Sequence, residues 1–181
     1  MREFTLAAVF LLLSSSSFSV SAIDGFDVDL GDGDESSTIV GASVKWNWDK
    51  QWFTDGDWYV GGYWELGAGH WDGDSGEHRN DNITHAGITP VFRLTRHKRL
   101  ANGGMPFIEG AIGFHLMSDD KIGDKDLGGS FTFKDHLSAG VQFGANLEHE
   151  LSLRAQHFSN ADLHNSNPGF NTIGLRYGHN F

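Results

Sequence analysis

Residues 40–48 read VGASVKWNW, and this stretch decides the fold. Its even positions are apolar, whereas Gly41, Ser43, Lys45 and Asn47 stand between them. Successive side chains of a β-strand point to opposite faces. A period of two therefore predicts a strand with one apolar face and one mixed polar face.

The same alternation recurs along the chain and predicts eight strands in all. Besides 40–48, the predicted strands are 58–66, 85–94, 107–116, 127–134, 137–147, 151–156 and 172–177. The aspartate-rich segment 24–35 is interpreted instead as a solvated, mobile stretch. Composition also favours a β-barrel, since the chain has 24 glycines, 13% aromatic residues and only 3 prolines.

Alternation alone fits either a soluble, lipocalin-like barrel with an apolar interior or a membrane barrel with an apolar outer wall. The face opposite the apolar one favours the membrane, because it carries charges of both signs that can pair inside a narrow barrel. These residues are Lys45, Glu65, Arg93, Glu109, Arg154 and Arg176. Many predicted strands also reach the roughly 9–11 residues that a tilted membrane strand needs. We therefore predict an all-β fold, an eight-stranded antiparallel transmembrane β-barrel of the bacterial outer membrane.

Further sequence features fit that location. Trp46, Trp48, Trp58 and Trp64 are predicted to join aromatic girdles at the lipid–water boundary. An even number of strands places both termini at one end of the barrel, which we assign to the periplasmic side. The segment between the last two strands then lies outside the cell.

The N-terminus is interpreted as a secretory signal peptide covering residues 1–22. Its apolar run 6–13 is too short for a spanning helix, and small residues at 20–22 offer a cleavage site. Residues 23–181 then form one outer-membrane β-barrel domain. With no cysteine the chain is not a disulfide scaffold, and a net charge of -11 argues against a nucleic-acid partner.

Residues 154–161 read RAQHFSNA, and this is the sharpest chemical feature of the chain. His157 and Ser159 are two residues apart, so they share one strand face, which parity makes the lipid-facing one. Polar groups facing lipid are costly unless they act on it, and a histidine can activate a serine hydroxyl as nucleophile. Asn171 has lipid-facing parity on the last strand and is predicted to lie near the pair and orient the histidine. Asp162 and His164 in the connecting loop are alternatives.

The sequence as a whole resembles the lipid A 3-O-deacylase family of outer-membrane enzymes. The resemblance rests on HFSNA at 157–161 and NPG at 167–169, with further matches at 46–50, 90–92, 106–113 and 131–135. It implies a barrel that removes the ester-linked 3-hydroxyacyl chain at the 3 position of lipid A in the outer leaflet. In this interpretation Ser159 is the nucleophile, His157 the base, and Asn160 the oxyanion-hole residue through its backbone N–H.

Two positions depart from the family's pattern. Where the family usually has a glutamate, twelve residues after the serine, this chain has Asn171. Where a small residue is common, three after the serine, it has Asp162. The first departure predicts a weaker or differently tuned base. The second predicts either an altered oxyanion hole or a negative charge beside the nucleophile.

The sequence also bears on cofactors, partners and an alternative function. We expect no cofactor and no metal, since the ten histidines show neither zinc spacing nor cysteine partners. The expected partners are lipid A or lipopolysaccharide and other outer-membrane lipids, with a homodimer left open. The main rival function is a non-enzymatic small barrel, either structural or displaying its loops as an adhesin does.

Overall fold

The computed structural model describes residues 22–181, so almost all of the interpreted signal peptide lies outside the described residues. The strands are β1 (Gly25–Gly33), β2 (Thr38–Asn47), β3 (Trp58–Asp72), β4 (Asn82–Arg96), β5 (Met105–Met117), β6 (Lys121–Ile122), β7 (Lys125–Asp126), β8 (Phe131–Phe143), β9 (His149–Ser159) and β10 (Phe170–Asn180). Within the described part of the chain, no helix is long and apolar enough to cross a membrane.

Eight of the strands form a closed barrel in the order β1-β10-β9-β8-β5-β4-β3-β2. All eight pairs of neighbouring strands are antiparallel. The short β6–β7 hairpin lies in the connection between β5 and β8. Gly25 of β1 pairs with Asn180 of β10, so both ends of the barrel domain lie at one end of the barrel. The predicted eight-stranded antiparallel barrel is confirmed.

The interpretation of 24–35 as a solvated stretch is wrong, because Gly25–Gly33 is the first strand of the barrel. Asp27 is buried and accepts a hydrogen bond from Lys45 Nζ at 3.1 Å. Asp29 is paired with Arg176, whose Nη2 lies 2.6 Å from Oδ2. Asp27 and Asp29 thus face inward because each has a cation opposite it.

The two strands predicted at 127–134 and 137–147 are also wrong, since β8 runs without a break from Phe131 to Phe143. The residues between the two predictions continue the strand and pair with β9. His136 is accordingly buried inside the barrel rather than near a turn. The predicted number of eight barrel strands is nevertheless correct, because dividing β8 into two strands added one and missing β1 removed one.

The barrel interior is filled by paired charges. Glu65 is 1% exposed and accepts hydrogen bonds from Lys134 Nζ at 2.7 Å, Arg154 Nη1 at 3.1 Å and Arg176 Nη1 at 2.5 Å. A second group joins Arg93 to the carboxylates of Glu109 and Glu150. All six charged residues predicted to face inward do so, which contradicts the apolar cavity of a lipocalin-like barrel.

The outer wall is apolar. Exposed aliphatic side chains cover it, among them Leu30, Leu66, Ile112, Leu116, Leu137, Leu153, Ile173 and Leu175. Trp48 packs against Trp52, Trp64 and Phe92 with ring centroids 5.0–6.2 Å apart, near the end that carries the termini. A continuous apolar wall with an aromatic cluster at its edge is the surface that a lipid bilayer covers.

The end of the barrel opposite the termini is closed by an apolar cluster instead of by charges. Trp71 stacks on Phe170 with ring centroids 4.1 Å apart, and Phe158 packs edge-on against Trp71. Phe158 and Phe170 belong to the last residue pair of β9 and β10. Their inward anchoring fixes the strand ends and so turns their neighbours in sequence toward the outside.

Replacing Glu65 with glutamine tests the charge network. We expect Glu65→Gln to lower the free energy of unfolding by about 3–5 kcal/mol, because three buried cations lose their shared carboxylate. Urea unfolding of the barrel in detergent micelles measures it, and Glu77→Gln, an exposed carboxylate, is the matched control. A loss of less than about 1 kcal/mol would contradict the assigned role.

Candidate active site

The candidate site lies on the outer wall where β9 ends and β10 begins. His157 and Ser159 are partly exposed and share the face of Leu151 and Leu153. The residues that follow each of them, Phe158 and Asn160, point inward and are 1% and 2% exposed. The predicted lipid-facing parity of the His–Ser pair is therefore confirmed.

His157 is held by the neighbouring strand. The hairpin register pairs Asn171 with His157, and Asn171 Oδ1 lies 2.8 Å from His157 Nδ1. This contact fixes the ring plane and leaves Nε2 as the remaining ring nitrogen. The structure thus brings Asn171 to His157, as the sequence predicts.

The Ser159 hydroxyl makes no hydrogen bond within residues 22–181. Its backbone carbonyl does accept one, from Thr132 Oγ1 on β8 at 2.8 Å, which fixes the strand end. Nucleophile and base are therefore adjacent on one strand face, and their own hydrogen bond is not formed. Such bonds in substrate-free sites often form only when substrate binds.

Asn160 is buried and ties the site to two loops. Its side-chain Nδ2 donates to the carbonyls of Leu127 at 2.8 Å and Ser166 at 2.7 Å. Its backbone N–H, the predicted oxyanion donor, donates to Asn167 Oδ1 at 3.0 Å. Use of this N–H by an oxyanion therefore requires the bond to Asn167 to lengthen or be shared.

The two loop alternatives have other partners. Asp162 Oδ1 accepts a hydrogen bond from Asn167 Nδ2 at 2.9 Å, and His164 lies against Gly129. Of the residues the structure describes, Asn171 alone hydrogen-bonds the His157 ring. Asp162 has a φ of 60°, a left-handed conformation that disfavours most side chains. Aspartate is among the residues that tolerate this conformation best after glycine.

Three residues that sequence analysis missed surround the histidine. Asp135 of β8 is cross-strand from His157, on the side opposite Asn171. Asp34 follows β1 and bonds Asn171, and Lys125 of β7 bonds Asp34. Parity along a correctly predicted β8 would have placed Asp135 on the outer face. No local signal marks the other two, because barrel closure brings Asp34 to the site and the β6–β7 hairpin brings Lys125 to Asp34.

A shallow groove beside the site runs along the apolar wall. Its outward-facing lining consists of Asp135, Leu137, Ala155, His157 and Asn171. Leu137 is 64% exposed, so the wall next to the imidazole is open to a lipid chain. The arrangement can hold an apolar chain against the barrel with its polar end at the Ser–His pair.

Comparison with known proteins identifies similar chains. The model of the lipid A 3-O-deacylase (PagL) family matches residues 38–180. The lipid A deacylase PagL of Pseudomonas aeruginosa is 30% identical over 170 residues, which is 92% of this chain and 93% of that protein. The lipid A deacylase PagL of Bordetella bronchiseptica is 33% identical over 117 residues, 65% of this chain and 61% of that protein. A crystal structure of the outer membrane enzyme PagL superposes with a TM-score of 0.75 at 29% identity, covering 87% of this chain and 99% of that one.

Gly169 sets the position of the imidazole. Its φ is +68°, and a Cβ there would lie 2.5 Å from His157 Cε1. We expect Gly169→Ala to displace the ring from Asn171, which nitrogen-15 NMR of the labelled histidine would detect as a changed Nδ1 signal. Gly103→Ala is the matched control, because Gly103 also has a positive φ, +84°, but open space around it. An unchanged His157 signal in Gly169→Ala would show that the glycine is needed only for its backbone.

Proposed function

The chain belongs to the lipid A 3-O-deacylase family, and on that premise we propose that it hydrolyses the ester-linked 3-hydroxyacyl chain at the 3 position of lipid A. It is an integral β-barrel of the outer membrane. Ser159 is the proposed nucleophile, His157 the general base, and Asn171 the residue that orients the base.

One observation carries the proposal. A histidine with its Nδ1 fixed 2.8 Å from Asn171 lies two residues from a serine on the lipid-facing wall. A purely structural barrel gains nothing from these three polar groups on that face, since they interrupt an otherwise apolar surface. Relatives over most of the chain are named lipid A deacylase, which supports lipid A as substrate.

The proposed reaction proceeds in two steps. His157 Nε2 takes the Ser159 proton as Oγ attacks the ester carbonyl, and the proton is then given to the departing sugar oxygen, which leaves as a hydroxyl. This breaks the ester bond and leaves the acyl chain on Ser159. Water, deprotonated by the same nitrogen, then attacks the acyl-enzyme, and the proton passes to Ser159 Oγ as the hydroxy acid is released.

The tetrahedral intermediate needs hydrogen-bond donors at its oxyanion. The Asn160 N–H remains the proposed donor, and its present acceptor is a neutral amide oxygen of Asn167. An oxyanion is a stronger acceptor than an amide oxygen, so it can compete for this N–H when the intermediate forms. Asn167 Oδ1 would then be the acceptor of the Asn160 N–H whenever no oxyanion is present.

The substrate would reach the site by lateral diffusion in the membrane. The acyl chain would lie against Leu137, Leu153, Ile173 and Leu175, which are all more than half exposed. The headgroup would remain at the level of the loops 160–169 and 118–130. This geometry requires no entry of lipid into the barrel, whose interior is occupied by charged side chains.

Mass spectrometry of lipid A incubated with detergent-purified protein tests the proposal. We expect loss of one hydroxyacyl chain with the parent protein and at least a thousandfold slower loss with Ser159→Ala, on the order of what removing a nucleophile costs. Ser152→Ala is the matched control, a serine of the same strand that faces the interior. Equal activity of Ser159→Ala and the parent would exclude the mechanism, and no mass change with a folded parent would favour the non-enzymatic barrel.

A further inference from the structure

Asp34 is fixed beside the candidate triad by the closure of the barrel. Its backbone N–H donates to the Asn171 carbonyl at 2.9 Å, which extends the β1–β10 pairing by one residue. It then starts a tight turn in which Ser37 N–H donates back to its carbonyl at 3.1 Å. Glu35 and Ser36 in that turn have φ values of 55° and 54°, as a two-residue hairpin turn of type I′ requires.

The Asp34 carboxylate accepts hydrogen bonds from both the backbone and the side-chain N–H donors of Asn171. Oδ2 accepts from the backbone N–H of Asn171 at 2.9 Å and from its side-chain Nδ2 at 3.0 Å. The same oxygen accepts from Lys125 Nζ at 2.6 Å, and Nζ also donates to the Gly169 carbonyl at 2.9 Å. Asp34, Asn171 and Lys125 thus form a chain that begins at the histidine and ends at the glycine packed on it.

This chain decides the tautomer of the histidine. A carboxylate only accepts hydrogen bonds, so the Asn171 Nδ2 must face Asp34 and Oδ1 must face His157. An amide oxygen in turn requires a proton on Nδ1, which leaves the Nε2 lone pair as base. Without Asp34 the amide could rotate by half a turn, and its NH₂ group would then favour the opposite, unproductive tautomer.

The carboxylate also supplies charge that an amide lacks. Burial raises the pKa of Asp34, but hydrogen bonds from Lys125 and Asn171 outweigh it and hold the pKa below the ordinary value of 3.8. The group therefore stays ionised above pH 3.8 and loses its charge only as the pH falls through a lower pKa. It is negative throughout the range in which a histidine titrates.

We propose that Asp34 is a positioning residue of this site, the carboxylate that fixes the Asn171 amide and through it the tautomer of His157. In this arrangement the Asp34 carboxylate acts on His157 through the Asn171 amide, whereas the family usually has a glutamate at the position of Asn171. The inference rests on the proposed function for its catalytic meaning, but the tautomer of His157 is measurable without catalysis.

Several other charged groups lie near the His157 ring. Asp135 approaches His157 from β8, Asp162 lies in the loop after β9, and Lys125 partly neutralises Asp34. Asp32 is exposed near the end of β1, two residues before Asp34. Asp32→Asn is therefore the matched control for removal of one negative charge from this segment.

The first experiment is a nitrogen-15 NMR measurement of the neutral His157 ring in the parent, Asp34→Asn and Asp32→Asn. We expect the parent and Asp32→Asn to show one tautomer, with the proton on Nδ1, and Asp34→Asn to show a mixture of the two neutral tautomers, because its Asn171 amide is no longer held in one orientation. An Asp34→Asn spectrum with the same single tautomer as Asp32→Asn would overturn the proposal.

The second experiment places the carboxylate where the family has it. Asn171→Glu alone sets two carboxylates in contact, so we expect it to be less active than the double variant Asp34→Asn/Asn171→Glu. Asp34→Asn alone should lower kcat/KM about tenfold through kcat with KM unchanged, as expected for a mispositioned base. Asn171→Glu as active as the double variant would contradict the role of Asp34. If the NMR response to Asp34 is present but no variant, including the parent, hydrolyses lipid A, the proposed function fails and the positioning role stands.

Discussion

The structure depends on the pairing of charges inside a closed barrel. Eight strands leave a narrow interior, and the side chains that fill it include Lys45, Glu65, Arg154 and Arg176, none more than 4% exposed. Ions removed from water at this depth are tolerable only with partners in hydrogen-bonding contact. Each of these residues has such a partner on another strand, and Glu65 of β3 links across the interior to Arg154 of β9 and Arg176 of β10. Because charged side chains fill the interior, the apolar side chains of the same strands form the outer wall.

Because side chains fill the barrel interior, a lipid can be bound only on the outer wall. The two ends of the barrel are finished differently, with tryptophans on the wall near the termini and an apolar plug of Trp71, Phe158 and Phe170 at the other end. The plug anchors the last residues of β9 and β10 inward, and the alternation of the strands then projects His157, Ser159 and Asn171 toward lipid. The outward site is thus a consequence of inward packing, and the loop contacts of Asn160 and Asp34 make it rigid.

Sequence alone predicted what alternation and local pairing determine. The inward charges, the outward His–Ser pair and the meeting of Asn171 with His157 all follow from period two and one hairpin register. The segment 25–33 was missed although Phe26, Val28 and Leu30 alternate there, because its aspartates suggested solvent and their cations lie on β2 and β10. Asp34 and Lys125 reach the site from loops more than 40 residues from Asn171, and no local pattern encodes such a contact. The oxyanion contact of Asn160 was predicted from resemblance, and its bond to Asn167 is visible only in three dimensions.

The central claim is that Ser159, on the lipid-facing wall, is a nucleophile activated by His157. Reaction of the folded barrel with a long-chain alkyl fluorophosphonate, followed by peptide mass spectrometry, tests this most directly, since an activated hydroxyl displaces the fluoride and becomes phosphonylated far faster than an ordinary one. The account predicts one label per chain, on Ser159, with a rate that falls at least a hundredfold in His157→Asn, on the order of a lost general base. Labelling elsewhere, or an equal rate without the histidine, would contradict it.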